Sequence, residues 1–213
     1  RQVYQIETAE NALIFFKNGD PAYLTKRFDV KEDGSKLAKE DFATLAGKTP
    51  QTHGEHYKYE GTYLELFELM KTYLPAYRLE IPKLYQVLIF NYLFSNGDAH
   101  LKNFSILETP LGDHRLSPAY DLLNTRMHVD DEIFALAGLL PKQDSHGTIY
   151  AQFTKLAERI ELTEKQFNKI MITMLGGAGR VEQLVQASFL NESSKRNYLQ
   201  AYQRRLKRLK PKL

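Results

Sequence analysis

The chain has 213 residues, 43% of them hydrophobic and 26% charged, with a net charge of +3, the balance of an ordinary globular protein with one large core or two small ones. It has no cysteine, which excludes disulfides, thiolate metal sites and a cysteine nucleophile and fits a reducing cytoplasm. The longest apolar run, residues 84–94, is too short for a bilayer and is broken by Gln86 and Asn91, and no signal-peptide pattern is present, so no membrane partner is expected.

In chain order, residues 12–30, ALIFFKNGDPAYLTKRFDV, read as a β-hairpin turning at Asn18-Gly19-Asp20. Residues 31–36 form a polar loop. KEDFATLAGK (39–48) predicts a short helix stopped near Gly47, and residues 49–61 a polar loop. Tyr63, Leu66, Phe67, Met70 and Leu74 recur at helical spacing, which predicts an amphipathic helix. EIPKLYQVLIFNYLFS (80–95) is apolar nearly all round and is expected to be the central buried helix. Residues 103–121 read as a second hairpin turning at Pro110-Leu111-Gly112-Asp113. From about Asp130 onward the pattern is helical, with four helices over 149–160, 163–175, 180–190 and 194–209, interrupted at 161–162, 176–179 and 191–193. The expected fold is α+β, mostly α-helical, with two hairpins.

Charge is unevenly placed. Residues 193–213 hold eight Lys and Arg and no acid; removing those eight from the net +3 leaves −5 on the rest. The last helix therefore has a basic face opposite Tyr198, Tyr202, Leu206 and Leu209, which would dock it to the body. A solvated face is the simplest reading; contact with DNA phosphates is the alternative.

The unusual stretch is NYLFSNGDAHLKNFSIL (91–107). An apolar helix ends and Asp98, His100, Lys102 and Asn103 follow within six positions before a strand begins. The second hairpin then leaves and returns, so that Tyr120 and Asp121 come back beside this loop. Two carboxylates and an amide of this kind suit Mg²⁺, with phosphate oxygens filling its other positions. Asp-x₄-Asn, a hairpin and a further Asp form the skeleton of protein-kinase phosphoryl transfer, although no His-Arg precedes Asp98 and no Phe-Gly follows Asp121.

SNGDAHLKNFSIL and LSPAYDLLNT closely resemble the catalytic loop and metal-binding segment of the HipA-type toxin kinases, a bacterial serine/threonine kinase family with a divergent protein-kinase fold. The family's D-x-H-x-K-N is matched by Asp98, His100, Lys102 and Asn103, and its P-x-Y-D by Pro118, Tyr120 and Asp121. Its R-F-D hinge is matched by Arg27, Phe28 and Asp29 after Lys26. Lys58-Tyr59-Glu60-Gly61 resembles its substrate-side loop. The resemblance implies Asp98 as catalytic base, Lys102 facing the transferred phosphoryl group, and Asn103 and Asp121 as magnesium ligands. It implies that His100 and Tyr120 line the ATP site, that the Lys26–Phe28 backbone holds adenine, and that Asp29 reaches the ribose. Residues 1–30 would then be the end of an N-lobe with hairpin and hinge, and 31–213 the helical C-lobe. A protein substrate such as an aminoacyl-tRNA synthetase and a helix-turn-helix antitoxin are the implied partners, with indirect DNA contact.

A phosphate-covering loop and a strand lysine precede the hinge in kinase order; neither occurs before Lys26, and the chain begins at Arg1 rather than Met. It is therefore expected to be a piece of a longer kinase and inactive alone. The competing class is a non-catalytic docking module for a protein or DNA. Three further readings are weaker. Asp98-x-His100 could open a dinuclear phosphatase site, but His114 and His128 do not sit as its further ligands. LGGAGR (175–180) follows a helix and lacks Lys-Ser/Thr, so it reads as a helix stop rather than a phosphate loop. Asp130-Asp131-Glu132 reads as the acidic first turn of a helix, and His100 as either a nucleotide contact or a histidine bonded to a backbone carbonyl.

Overall fold

The computed structural model describes residues 3–130 and 132–211. The first hairpin pairs β1 (Asn11–Phe15) with β2 (Pro21–Thr25), Phe15 opposite Pro21. Its turn closes through Phe16 and Asp20, with Gly19 at φ +88°, a value that glycine adopts without steric cost. The ribbon is exposed on both faces apart from Ala22, which is half-buried.

The second hairpin, β4 (Ser105–Glu108) with β5 (His114–Leu116), has a third strand, β3 (Lys39–Asp41), on its outer edge in the order β3-β4-β5. This corrects the helix expected over 39–48. Asp41 Oδ1 accepts from the Thr44 amide at 2.9 Å and so caps α1 (Phe42–Leu45), which cannot start earlier. The three residues before it pair with Ser105–Leu107 instead. The loop expected over 49–61 also contains α2 (Pro50–His53), capped by Thr49, and a 3₁₀ turn at Tyr57–Tyr59.

Helix α3 (Tyr63–Tyr73) opens on a capping box of Thr62 and Glu65. Helix α4 (Tyr77–Leu93) is the expected central helix: Leu84, Tyr85, Ile89 and Leu93 have no exposed surface. It lies against α3, β5, α6 and α8. The Tyr85 hydroxyl donates to the Phe153 carbonyl at 2.8 Å, so even its buried polar group is satisfied.

Helicity from Asp130 does not hold over 130–148. That stretch is irregular, Asp130 and Glu132 are non-helical, and Asp131 lies outside the described residues. Gly138 at φ +144°, Pro141 and Gly147 at φ +84° interrupt any helix there. The chain instead buries Leu136, Leu139 and Leu140, and the Gly138 and Leu139 carbonyls accept from the Tyr63 and Leu64 amides at 3.0 Å each. Those are amides a helix start leaves unpaired.

The four expected C-terminal helices are present: α5 (Ile149–Arg159), α6 (Glu164–Gly176), α7 (Ala178–Gln186) and α8 (Glu192–Leu209). The break expected over 176–179 narrows to Gly177. A Cβ there would meet the Tyr4 ring at 2.6 Å, so the N-terminal segment lies directly on this joint. The Tyr4 and Tyr202 hydroxyls are 2.8 Å apart. Among the described residues no helix is long and apolar enough to cross a membrane.

Leu84→Ala should lower stability by about 2–5 kcal/mol, the cost of a cavity in a packed core. Urea unfolding with an unchanged m-value checks this; a loss below about 1 kcal/mol would mean that α4 is not the centre of the core.

Candidate active site

The site is built where α4 runs out. Ser95 turns the chain at φ +58°, and Asn96 and Gly97 lead into Asp98. Two buried side chains fasten this loop to the segment that follows β5. Asn96 Nδ2 donates to Asn91 Oδ1 at 3.2 Å and to the Asp121 carbonyl at 3.1 Å. The Thr125 hydroxyl accepts from the Gly97 amide at 2.9 Å and donates to the Ser95 carbonyl at 3.1 Å. Asp121 itself has φ +55°, a conformation that a non-glycine residue keeps only when its surroundings hold it; the Asn96 bond to its carbonyl does so.

Asn103 and Asp121 meet. Asn103 Nδ2 donates to Asp121 Oδ2 at 2.5 Å, while Asn103 Oδ1 accepts from the His100 amide at 3.0 Å. Asp98 is half-buried, and its Oδ1 accepts from the Tyr59 hydroxyl at 2.8 Å. His100 is buried edge-on to Tyr59, with ring centroids 5.1 Å apart. Burial, reinforced by the charge of Lys58, lowers its pKa against the opposing pull of Asp98 and Asp121. His100 Nδ1 is buried without a partner, so the alternative of a histidine bonded to a carbonyl through that nitrogen is not what the structure has. Lys102 is exposed and forms no ion pair with a described residue.

The hinge residues pack on the same segment. The Phe28 and Tyr120 rings are 5.6 Å apart, with Lys39 Nζ over both at 5.8 and 5.5 Å. The Tyr120 hydroxyl donates to the Lys102 carbonyl at 2.9 Å, lies 2.5 Å from Ser105 Oγ, and has its pKa pushed up to about 12 by burial. Asp29 is buried, and both its oxygens are taken by Arg27, at 2.9 and 2.5 Å. That pairing holds the Asp29 pKa below its ordinary value. A ribose would have to compete with Arg27 for it. The Lys26 amide donates to the Glu10 carbonyl, so one of the backbone groups expected to hold adenine is already engaged. A cavity of about 800 Å³ lies between the first hairpin and this segment, lined among others by Thr8, Tyr23, Thr25, Tyr120 and Asp121, within the usual size of a small-molecule site.

The donor set suits a hard divalent cation held by one carboxylate and one amide oxygen, with phosphate and water completing the shell. Asn103 Oδ1 would have to turn from the His100 amide to join it. Among the described residues no three His, Asp or Glu side chains converge on a metal position, which removes the dinuclear phosphatase reading of Asp98 and His100. Sequence reasoning missed Asn96 and Thr125, which fix the loop. It also missed Tyr59 as partner of Asp98; its only signal was the family-like Lys58–Gly61 segment.

A helical lobe carrying a loop–hairpin–Asp site of this order is the lobe of a protein-kinase-like fold, and the solved structures it resembles agree. HipA of Shewanella oneidensis, solved with HipB and operator DNA, superposes with a TM-score of 0.66 at 21% identity over 96% of this chain and 51% of that one. The Helicobacter pylori proinflammatory kinase CtkA gives 0.62 at 12% identity over 97% of this chain and 79% of that one. The family model of the HipA-like C-terminal domain matches residues 2–181, and the chain belongs to that family. A curated relative, the putative kinase Y4mE of Sinorhizobium fredii, is 35% identical over 119 residues, 53% of this chain; the chain spans 27% of that relative's length.

Two outcomes follow from this geometry. Thr125→Val keeps the side-chain shape but strands the Gly97 amide and Ser95 carbonyl, and should cost about 1–3 kcal/mol in urea unfolding; Thr125→Ser should cost clearly less. His100 refuses a proton that the unfolded chain accepts, so its share of stability is complete above the unfolded pKa of about 6.5 and is lost as pH falls below that value. His100→Gln should flatten that part of the stability–pH curve; an unchanged curve would show that His100 titrates normally.

Proposed function

We propose that this chain is the catalytic lobe of an ATP- and magnesium-dependent serine/threonine protein kinase of a toxin–antitoxin system. The observation that carries the reading is the meeting of Asn103 with Asp121, beside a loop that holds Asp98 on the Tyr59 hydroxyl. In the proposed reaction a protein hydroxyl attacks the γ-phosphorus of ATP. The new O–P bond forms as the bond to the β-phosphate oxygen breaks, and ADP leaves. Asp98 orients the hydroxyl and takes its proton. Tyr59, donating to Oδ1, leaves Oδ2 for that proton. Lys102, unpaired with any described residue, offsets charge on the transferred group. Asn103 and Asp121 would hold the magnesium, which neutralises phosphate charge when bound. Phe28 and Tyr120 would flank the nucleotide, and the Arg27–Phe28 backbone would face adenine.

In partner choice the HipA structure with HipB and operator DNA supports a helix-turn-helix antitoxin, with DNA contact indirect through the basic face of α8. An aminoacyl-tRNA synthetase as substrate follows from the family resemblance alone. Residues 1–213 contain neither a glycine-rich phosphate loop nor a lysine-bearing strand ahead of Lys26, so by themselves they should turn over little ATP.

In the full-length protein, Asp98→Asn and Asp121→Asn should each cut transfer of labelled γ-phosphate by about 10²–10⁴-fold, with the fold retained by circular dichroism. Phosphoryl transfer that survives both changes would end the kinase reading.

A further inference from the structure

A second hollow, of about 340 Å³, opens between the segment following Asp121 and helix α8. Its wall carries Arg126 from a 3₁₀ turn (Thr125–Met127) and Arg204, Arg205 and Arg208 from α8. Ser194 and Asn197 add polar groups from earlier in the same helix, and no carboxylate is among its described lining residues. Arg126, Arg204 and Arg208 are exposed and form no ion pair with any described residue. Arg205 is buried, donates from Nη1 to the Tyr92 carbonyl at 2.8 Å, and holds its guanidinium 5.1 Å from the Tyr92 ring centre. It is a fixed point in the wall.

Four like charges around one hollow repel one another, and the Arg204–Arg208 pair at i,i+4 is unfavourable on the helix as well. An anion reverses the sign of that energy. The residue types narrow which anion. Helix α8 also carries Lys195 and Lys207, yet every cation on this wall is arginine. Guanidinium forks match the paired oxygens of a tetrahedral phosphoryl group, which point-charge ammonium groups do not. A concave hollow suits one compact dianion better than an extended polynucleotide, whose phosphates spread along a face. Asn124, on the same wall, has its side-chain oxygen buried without a partner; a half-turn of that amide offers donors in its place.

We propose that this hollow is a binding site for a phosphoryl group, presented either as inorganic phosphate or as a phosphorylated side chain. Arg126 directly follows Thr125, whose hydroxyl holds Gly97 and Ser95. An anion bridging Arg126 to α8 therefore also steadies the loop that leads into Asp98. The binding itself does not depend on the kinase reading, and the test needs no phosphoryl transfer.

The full-length protein is titrated with inorganic phosphate and, separately, with a phosphoserine peptide, at constant ionic strength against chloride, while hydrogen exchange at Gly97 is followed. Saturable binding is expected, with exchange at Gly97 slowed. Arg126→Ala and Arg204→Ala should each weaken binding by about tenfold or more and abolish the slowing. Both side chains are exposed, and unchanged thermal melting confirms that these variants fold. Equal affinity for the two probes identifies free phosphate as the ligand, and tighter binding of the peptide identifies a phosphorylated side chain. The proposal is overturned if neither probe saturates, or if binding is unchanged in the double variant. It is also overturned if duplex DNA alone binds and does so through these arginines.

Discussion

Two irregular pieces of chain hold each other in place, and the site exists because they do. Residues 95–97 and 121–124 contain no regular element, yet the Thr125 hydroxyl closes on both Ser95 and Gly97 and Asn96 closes on Asp121. Neither piece has a ladder of its own backbone bonds to fix it, so these few side-chain bonds fix their spacing. Each is at least partly buried, where an unmade hydrogen bond costs more than a made one contributes. The left-handed turn at Asp121 is tolerable only inside that frame. The frame in turn hangs from the C-terminal end of α4, whose buried surface anchors it.

Three polar groups of the site already have protein partners. Asp98 has Tyr59, Asp29 has Arg27, and Asn103 stands between the His100 amide and Asp121. Binding of the proposed nucleotide and cation would then be an exchange of partners rather than the filling of bare charges. The exchange at Asp29 involves an exposed arginine, whose displacement into water is easy. The exchange at Asn103 involves a turn of one amide. His100, kept uncharged by burial, adds no positive charge to compete for the carboxylates.

Much of the frame was legible in the sequence, because it rests on local chemistry. The all-round apolar pattern of 80–95 could only be a buried helix. Asn18-Gly19-Asp20 fixes its hairpin whatever surrounds it, and the order Asp98, Asn103, hairpin, Asp121 brings the last two together. What escaped depends on partners remote in sequence. Lys39–Asp41 has no strand signal of its own and becomes a strand because the β4 edge is beside it. Leu136, Leu139 and Leu140 look helical, but the unpaired start of α3 needs carbonyls, and this stretch supplies them. Tyr59 has only the family-like segment around it, which names no partner, and Arg205 carries nothing in its neighbours that points to the Tyr92 carbonyl. Their roles follow from contacts 39 and 113 positions away.

The pairing of Tyr4 with Tyr202 reaches almost end to end, 198 positions apart. Tyr4 also rests on Gly177, and Phe94 stacks on Tyr202 with ring centres 5.2 Å apart. During synthesis the first of these rings leaves the ribosome long before its partners exist. Its apolar surface must wait for cover until α8 emerges. Closing so long a loop makes this pairing slow relative to the local helices. Until α8 docks, the aromatic faces of Tyr4 and Phe94 lack the cover that Tyr202 gives them.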